Sequence, residues 1–288
     1  MGCDAPQYSP RNNSVKEYGS AKGNQMPEQQ SNSYDRDWNP RAYLRQYYSQ
    51  DFIPDDEKAI YQRLIAYLQR RGRTFARALD FGCGPTVHHL TPLAPWVTEI
   101  HLADYLPGNL AEVGKWLRAD ADAHDWDLTI RRALEIETRG AVSDEAIAAR
   151  KRLLRGQVTA LKHCDVRQAQ PLGDDAVYDL VLSAYCVDAA TTDKDEWRRW
   201  LGNLLTLCAE GGTVVLVSVR KSAQYQVDDQ LFPEASVDET DIAAALVAAG
   251  FDPGRTLIEA VPIKTWADVA FDGIVIAIAE KRSGRGSW

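Results

Sequence analysis

Two glycines follow a short apolar run and stand where a buried strand would turn toward a ligand. Gly82 and Gly84 come directly after Ala78–Phe81, and Pro85 follows them. Without a Cβ, the backbone of a glycine turns tightly and lets a ligand approach closely. The third glycine of a dinucleotide-binding fingerprint is missing, since Val87 occupies that position and Pro85 favours a stiff start to a helix. The turn therefore favours a nucleoside-type ligand without a pyrophosphate, and S-adenosylmethionine is the first example.

Two aspartates follow later apolar runs in the same way. Asp104 closes the run "HLAD", and Asp165 follows the next run along the chain. A carboxylate at the end of such a strand can accept hydrogen bonds from a bound nucleoside. We expect Asp104 to accept from the ribose hydroxyls and Asp165 to accept from the adenine amino group. Helix capping or turn formation would explain either aspartate alone. Both together, at successive strand ends, favour an S-adenosylmethionine-binding domain.

The adjacent histidines His88 and His89 are a third feature with possible chemistry. Neighbouring residues on a helix point in different directions, and no nearby carboxylate or cysteine completes a metal-ligand set in the sequence. We therefore predict no metal here. His88, one turn past the glycines, remains a candidate ligand contact.

The elements that must position these residues alternate along the chain. Apolar runs fall at 78–81, 100–103, 158–161, 178–184, 213–219, 256–261 and 273–279, and helical segments near 87–93, 107–118, 143–155, 193–208 and 239–249. This alternation predicts an α/β fold with a mostly parallel, seven-stranded sheet covered on both faces. Only a loop separates the last two runs, so we expect an antiparallel pair at one edge.

The chain divides into four predicted segments. Residues 1–33 are rich in Gln, Asn, Ser and Gly and are predicted to form a disordered polar tail. Residues 34–72 are aromatic and then helical in their apolar spacing, with a stop at Gly72, and we interpret them as an N-terminal helical lid. The Rossmann-like domain is expected at 73–282, followed by a flexible tail at 283–288.

Composition excludes several classes of partner. The formal net charge of −8 opposes binding to a phosphate backbone, so we expect no nucleic acid. The five cysteines are odd in number and none are in CxxC spacing, which is typical of a reduced cytoplasmic protein. No apolar run approaches the length of a membrane span, and the start lacks a signal-peptide layout. We expect a cytoplasmic monomer that has no contact with membranes.

Several sequence blocks occur together in a recognisable order. They are "NPRAYLRQYY", "DFGCGPTVHHL", "DYLPGNLAEVGKWL", "CDVRQAQPLG", "LSAYCVDAA" and "NLLTLCAEGG". With these blocks, from about Tyr34 to about Lys281, the chain resembles the small-molecule methyltransferases that include nicotinamide, phenylethanolamine and indolethylamine N-methyltransferases and a thioether S-methyltransferase. The resemblance implies a class I methyltransferase fold, S-adenosylmethionine as cofactor, S-adenosylhomocysteine as product, and a small-molecule acceptor.

Carried over position by position, the family pattern also implies cofactor contacts. These are Tyr43, Tyr48, Gly82, Cys83, Gly84, His88, Asp104, Asn109, Asp165, Val166 and Ala184. Relatives usually have Ser, Tyr and Thr where this chain has Cys83, His88 and Ala184, so Cys83 is expected to act through its backbone and Ala184 through packing. Tyrosine hydroxyls would hold the cofactor's carboxylate and their ring faces suit a sulfonium. The alternative is an amphipathic helix that only docks on the sheet.

The acceptor is expected to lie over the methyl group. Its predicted contacts are Tyr34, Tyr185, Asp188, Ser218, Arg220, Tyr225, Glu234 and Asp272. Asp188 matches an acidic position that faces the substrate in amine-methylating relatives, where it would orient the amine or take its proton; capping of the following helix explains it equally well. Arg220 would pair with a substrate carboxylate or be solvated.

Ser218 and Glu234 stand where the nicotinamide-specific relative has Asp and Ser, so nicotinamide is expected to be a poor substrate. Methyl transfer from a sulfonium needs alignment and exclusion of water more than a catalytic dyad. The leading prediction is methylation of a nitrogen in a small amine or heteroaromatic compound. S-methylation of a thioether, thiol or amino-acid-like acceptor is the alternative, and a non-catalytic S-adenosylmethionine-binding protein is the alternative outside enzymes.

Overall fold

The computed structural model describes residues 33–264 and 272–284. The predictions of disorder for residues 1–32 and of flexibility for 285–288 lie outside the described residues. The helices are α1 (Tyr34–Asp37), α2 (Pro40–Tyr48), α3 (Asp55–Arg71), α4 (Pro107–Arg118), α5 (Asp127–Thr138), α6 (Asp144–Gln157), α7 (Lys194–Thr206) and α8 (Glu239–Ala248). The strands are β1 (Phe75–Phe81), β2 (Val97–Asp104), β3 (Val158–His163), β4 (Tyr178–Ala184), β5 (Cys208–Val219), β6 (Gln224–Val227), β7 (Gln230–Pro233), β8 (Phe251–Val261) and β9 (Ile274–Lys281).

Seven strands form one sheet in the order β3-β2-β1-β4-β5-β9-β8, which confirms the predicted α/β class. Strands β1 to β5 are mutually parallel, and β9 runs antiparallel to both β5 and β8. The expected antiparallel pair therefore lies at the edge, with β9 inserted between β5 and β8. The strand order reverses between β1 and β4, and such a switch point is where open α/β sheets bind their ligands.

Helices cover both faces of the sheet. On one face α3, α4, α5 and α6 bury apolar side chains such as Leu64, Val113 and Ile130 against the strands. On the other face α7 and α8 contribute a second core that contains Trp197 and Leu246. The strands between these layers are apolar on both sides, which explains why they appear in the sequence as continuous apolar runs.

The N-terminal segment is helical, as its spacing predicts. Helix α3 ends at Gly72, whose φ of 63° places it in the left-handed conformation that suits a glycine C-cap. Helix α2 begins with Pro40 after Asn39, whose side chain accepts hydrogen bonds from the N–H groups of Arg41 and Ala42. These caps fix where the tyrosine-rich helix starts.

Three local predictions are wrong or incomplete. The segment predicted to be helical at 87–93 contains only the 3₁₀ turn His88–Leu90, and a second 3₁₀ turn follows at Ala94–Trp96, because Pro92 and Pro95 interrupt an α-helix. Helix α5 was not predicted, although its buried residues recur at helical spacing. The β6–β7 hairpin was also missed, since each of its strands has only four residues. No helix among the residues described combines the length and apolar character needed to cross a membrane.

Candidate active site

A cavity of about 320 Å³ opens at the carboxyl ends of the central strands. Tight turns after β1, β2 and β4 bring Gly84, Asp104 and Tyr185 to its wall, helix α2 contributes tyrosines, and the β6–β7 hairpin closes another side. Of the predicted contacts, the cavity is lined by Tyr34, Tyr43, Tyr48, Gly82, Cys83, Gly84, Asp104, Asn109, Asp165, Val166, Ala184, Tyr185, Tyr225 and Glu234.

The two glycines after β1 serve different purposes. A Cβ on Gly82 would lie 2.1 Å from the Sγ atom of Cys186, so this glycine permits packing within the protein. A Cβ on Gly84 would meet no atom within 4 Å, although its φ of +60° still favours glycine. Gly84 therefore leaves open space in the cavity, which is where a ligand would approach the backbone.

Asp104 connects the glycine turn to its neighbours. One carboxylate oxygen accepts a hydrogen bond from the N–H of Gly84 at 2.8 Å, and the other accepts from the N–H of Leu106 at 2.8 Å and from Nδ2 of Asn109 at 2.9 Å. Asn109 in turn accepts a hydrogen bond from the indole N–H of Trp38 at 2.8 Å. Burial raises the pKa of Asp104. Because each oxygen has two lone pairs, acceptor capacity remains for a ribose hydroxyl.

Asp165 lies in the cavity wall beside a partner that the sequence analysis did not anticipate. Arg167 donates to both oxygens of Asp165, at 2.7 and 2.9 Å, and holds the pKa of that carboxyl below its usual range. The guanidinium also lies over the ring of Tyr105, 4.9 Å from its centroid. The Asp165 charge is therefore neutralised locally.

Aromatic side chains form the wall opposite the sheet. The hydroxyl of Tyr34 donates to the carbonyl of Ala189 at 2.8 Å, so Tyr225 must donate in the 2.9 Å contact between the two hydroxyls. The rings of Tyr43 and Tyr48 lie 5.7 Å apart on α2. Burial raises the pKa of Tyr34 and of Tyr43, and these phenols are neutral at physiological pH.

Glu57 completes a cluster with the two adjacent histidines. Its two carboxylate oxygens contact Nε2 of His88 at 3.0 Å and Nε2 of His89 at 3.1 Å, and the imidazole centroids are 4.0 Å apart. The sequence analysis predicted no metal here for two reasons, and the structure supports neither of them. The rings do converge, and α3, far away in sequence, supplies the carboxylate. Among the described residues this is the group of three buried side chains whose ligand atoms are close enough to hold a metal ion.

The cluster forms a buried ion pair. Burial favours the neutral carboxyl, but the adjacent imidazoles outweigh it and hold the pKa of Glu57 well below its ordinary value. Burial lowers the pKa of His88 to about 4, whereas the Glu57 carboxylate outweighs burial and raises the pKa of His89. Near pH 6 the favoured protonation state therefore pairs a Glu57 carboxylate with a His89 imidazolium, and His88 is neutral.

Other carboxyls in the wall lack such partners. Oδ1 of Asp56, Oδ2 of Asp80 and Oε2 of Glu234 are buried and have no hydrogen-bond partner among the described residues. Burial raises the pKa of these carboxyls, to about 6 for Asp56, about 7 for Asp80 and about 8 for Glu234. The other Asp56 oxygen accepts a hydrogen bond from the hydroxyl of Tyr185 at 3.1 Å.

Asp188 and His88 do not reach the cavity, which corrects two predicted roles. Oδ2 of Asp188 accepts the N–H of Val219 at 2.8 Å, and the side chain is 2% exposed. The Asp188 carboxylate is outside the described cavity lining and makes no side-chain cap for the turn that follows; it holds the end of β5 instead. The ring of His88 stacks on Trp126 at 5.0 Å and directs Nε2 to Glu57, so its neighbour His89 lines the cavity instead.

Three further predicted acceptor contacts lie away from the cavity lining. Ser218 is buried within β5, opposite Val275 of β9. Arg220 donates to both oxygens of Glu239, at 2.8 and 3.0 Å, and to Asp272 at 3.2 Å. The positive charge of Arg220 is thus balanced by the protein. A substrate carboxylate would have to compete with two carboxylates already in place.

The sequence contains signals for several lining residues that the predictions missed. Asp80 is a charged residue inside an apolar parallel strand, and such a position is costly unless it has a function. Asp56 and Glu57 lie in the acidic first turn of α3, and because carboxylates are common at that position they did not stand out as site residues. Trp38 and Arg167 gave no comparable signal, because only the fold brings them to the cavity.

The fold and the glycine–aspartate arrangement at its strand ends are those of the class I methyltransferases, enzymes that take their methyl group from S-adenosylmethionine. More closely, the chain belongs to the NNMT/PNMT/TEMT family, whose model matches residues 27–282. It is 30% identical to phenylethanolamine N-methyltransferase of Sus scrofa over 256 residues, which cover 85% of this chain and 89% of that protein.

Two further similarities agree with this assignment. The chain is 32% identical to nicotinamide N-methyltransferase of Homo sapiens over 220 residues, covering 74% of this chain and 82% of that enzyme. The magnesium protoporphyrin IX methyltransferase of Synechocystis PCC 6803, solved with bound S-adenosylmethionine, superposes with a TM-score of 0.51. At 17% identity, over 86% of this chain and 93% of that one, this similarity concerns the fold.

The two glycines are expected to respond differently to alanine. Gly82→Ala forces a Cβ into Cys186, so we predict a loss of folding stability of at least about 2 kcal/mol, measured by urea denaturation. Gly84→Ala costs only backbone strain of about 1 kcal/mol in stability but obstructs the ligand's approach, so calorimetry should show weakened S-adenosylhomocysteine binding. Equal effects of the two substitutions on stability and on binding would contradict this division.

Glu57→Gln is predicted to destabilise the fold by about 3 kcal/mol near pH 6, because it leaves a buried imidazolium unpaired. The Glu57 contribution, with its lowered pKa, is present above about pH 4.3 and is lost as pH falls through the folded value. The His89 contribution, with its raised pKa, is complete below about pH 6.5 and is lost as pH rises through the folded value. Urea denaturation at pH 6 and pH 9 should therefore show a smaller wild-type advantage at pH 9.

A matched control for Glu57→Gln is Glu145→Gln, since Glu145 is exposed on α6. It should leave the unfolding free energy within about 0.5 kcal/mol at both pH values. A wild-type advantage over Glu57→Gln that does not change between pH 6 and pH 9 would contradict the ion-pair assignment.

Proposed function

We propose that this protein transfers the methyl group of S-adenosylmethionine to a nitrogen of a small amine or heteroaromatic acceptor. The observation that carries the proposal is the open space at Gly84 next to the Asp104 carboxylate, at the switch point of the sheet. The phenylethanolamine and nicotinamide enzymes to which the chain is similar are both N-methyltransferases by name, which supports nitrogen over sulfur as the methylated atom.

The proposed cofactor contacts follow from the cavity wall. Asp104 is proposed to accept a ribose hydroxyl, and Asp165 with the backbone of Val166, which also line the cavity, is proposed to bind the adenine. Gly82, Cys83 and Gly84 provide backbone at the turn, and Ala184 provides packing. Tyr43 and Tyr48 are proposed to hold the methionine portion through their neutral hydroxyls, with Asn109 near the ribose.

When bound, S-adenosylmethionine supplies a methyl carbon whose bond to sulfur breaks with both electrons returning to a neutral thioether. The protein therefore needs no group that stabilises a leaving anion. Its buried walls exclude water and align the acceptor's lone pair with the methyl carbon. An alkyl ammonium has no lone pair, so it must release one proton to a base before its nitrogen attacks the methyl carbon.

The proton acceptor is proposed to be a cavity carboxyl other than Asp188. Asp56 and Glu234 line the cavity, and their pKa values, raised to about 6 and about 8 by burial, are close to physiological pH. Such values suit exchange of a proton with an amine. We propose that Tyr34, Tyr185 and Tyr225 frame the acceptor beside these carboxyls.

Charge balance favours a cationic acceptor over an amino-acid-like one. The two basic side chains that line the described cavity, His89 and Arg167, are already paired with Glu57 and Asp165. Arg220 is engaged by Glu239 and Asp272 away from the cavity. A substrate carboxylate would thus find no unpaired cation in the described wall, whereas an amine would find unpartnered carboxyl oxygens.

The reaction is proposed to need no metal. A neutral leaving group does not require a Lewis acid, and both oxygens of Glu57 already accept hydrogen bonds from His88 and His89. The lack of a nucleic-acid partner is proposed on the net charge of −8, and a cytoplasmic location on the odd number of cysteines, none of them in CxxC spacing. We also propose that the protein is a monomer.

Asp104→Asn should weaken S-adenosylmethionine binding at least tenfold, because a hydrogen bond to a charged group contributes roughly 1.5–3 kcal/mol. Isothermal titration calorimetry provides the dissociation constants, and release of S-adenosylhomocysteine with a panel of amines, heteroaromatics, thiols and nicotinamide measures turnover. The control is Asp195→Asn, an exposed residue on α7. Unchanged binding in Asp104→Asn would refute the placement of the ribose.

Metal independence is tested by dialysis against EDTA followed by metal analysis of the protein. We expect less than about 0.1 metal ion per chain and full turnover on the best acceptor of the panel. Restoration of lost activity by Zn²⁺ or Co²⁺, with loss of the bound ion in His89→Ala, would show that the Glu57 cluster is a metal site.

A further inference from the structure

Methyl transfer to one amine needs a single proton acceptor, and once Asp56 takes that role the arrangement of Glu234 is left without an explanation. Its side chain is 4% exposed, it lines the cavity, and Oε2 has no hydrogen-bond partner among the described residues. The backbone around it is fixed, since its N–H donates to the carbonyl of Ala223 at 2.9 Å and the next N–H, of Ala235, donates to the carbonyl of Asp188 at 2.8 Å. A held, buried and unpartnered carboxyl oxygen points to a ligand.

The other carboxyls of the cavity are accounted for by the protein or by the cofactor half. Asp165 is paired with Arg167 and Glu57 with the two histidines, while Asp104 accepts three hydrogen bonds. Asp80 lies at the end of β1, where the glycine turn begins. Asp56 and Glu234 are then the lining carboxyls left for the acceptor.

These two carboxyls belong to different parts of the wall. Asp56 is at the start of α3, beside Glu57, and accepts the hydroxyl of Tyr185. Glu234 follows β7, next to Ser222 and close to the buried Asp188. Because each has its own neighbours and its own unpartnered oxygen, two separate positive or donating groups are needed to satisfy both.

A cation suits the Glu234 position better than a neutral donor. Burial and the proximity of Asp188 both raise the pKa of Glu234, so the carboxylate form is disfavoured until a positive charge lies beside it. Tyr34 lies within electrostatic reach of Glu234, its hydroxyl contacts that of Tyr225, and aromatic ring faces attract cations. A neutral hydroxyl could donate a hydrogen bond to Glu234, but it would not relieve the repulsion between Glu234 and Asp188.

Building on the proposed N-methylation, we infer that the acceptor is a compound with two cationic nitrogens, such as an α,ω-diamine, one held at Asp56 and the other at Glu234. One nitrogen is methylated while the other anchors the molecule. The ammonium held at Asp56 first gives one proton to that carboxylate, and the lone pair so freed forms the C–N bond while the C–S electrons return to sulfur. The methylated nitrogen then has the positive charge that the sulfonium lost. The second nitrogen stays protonated throughout.

The test compares matched amines with the full chain and S-adenosylmethionine. The α,ω-diamines with three to six methylene groups are measured against the n-alkyl monoamines of the same lengths, and kcat/KM is obtained from S-adenosylhomocysteine release. We expect the best diamine to exceed its monoamine at least tenfold, mainly through KM. A ratio near one at every chain length overturns the inference, even if monoamines are methylated well.

The Glu234→Gln variant connects that preference to the residue. It keeps the shape and removes the charge, and the diamine-to-monoamine ratio should fall to within about twofold of one. Glu145→Gln, on the exposed face of α6, is the control and should keep the wild-type ratio. A wild-type ratio in Glu234→Gln overturns the anchor. Circular dichroism and thermal unfolding identify a variant that fails to fold, and Glu234→Ala, which also removes the charge, then replaces it with the same expected loss of preference.

Binding separates this inference from the proposed function. Calorimetric titration of the protein saturated with S-adenosylhomocysteine should show diamine binding at least tenfold tighter than monoamine binding, and this difference should be absent in Glu234→Gln. Tight diamine binding without methyl transfer to any nitrogen would refute the proposed function and keep the two-cation site. Methyl transfer to monoamines, with no diamine preference in binding or turnover, would keep the proposed function and refute the two-cation site.

Discussion

The hydrogen bonds of Asp104 are the interaction on which the site depends. One side chain joins the glycine turn after β1, the end of β2 and the start of α4, and through Asn109 it reaches Trp38 of the N-terminal helices. Four separate parts of the chain are thus held at one edge of the sheet. Because parallel strands end together there, the sheet supplies the frame and a single carboxylate fixes the loops that leave it.

Charge distribution then divides the cavity into two halves. Around the glycine turn, most carboxyls are matched by histidine, arginine or backbone donors, and the wall there is close to neutral. In the half framed by α2, Tyr185 and the β6–β7 hairpin, Asp56 and Glu234 have oxygens that the described protein does not satisfy. An unmatched carboxylate in a buried, aromatic wall is stabilised by a bound cation, and this requirement is the physical basis of the proposed preference for a cationic acceptor.

Much of the fold was predictable because it depends on local pattern. Continuous apolar runs marked the parallel strands, and Gly72 marked the end of α3. The convergence of the proposed cofactor residues at one edge of the sheet was also predictable, since strand ends converge in any sheet of this type. Their order in the chain, Gly82, Asp104, Asp165, was enough to place them together.

The parts that escaped prediction depend on partners far away in sequence. The histidine cluster needed Glu57 from α3, and nothing near residue 88 indicates it. Asp188 was predicted to contact the substrate because of its position in the sequence, yet its carboxylate accepts a hydrogen bond from the N–H of Val219 at the end of β5. The sequence left Arg220 available for a substrate carboxylate, whereas in the fold it donates hydrogen bonds to Glu239 and Asp272. In each case the family pattern predicted the neighbourhood, and side-chain pairing within this chain decided the role.

The most direct measurement of the central claim observes the new bond itself. The protein is incubated with S-adenosylmethionine that has a ¹³C-labelled methyl group and with a ¹⁵N-labelled amine, and the product is examined by NMR. The account predicts a methyl carbon with one-bond coupling to nitrogen, formed in proportion to S-adenosylhomocysteine. Formation of S-adenosylhomocysteine without that coupling, or no product with any amine while the cofactor binds, would contradict it.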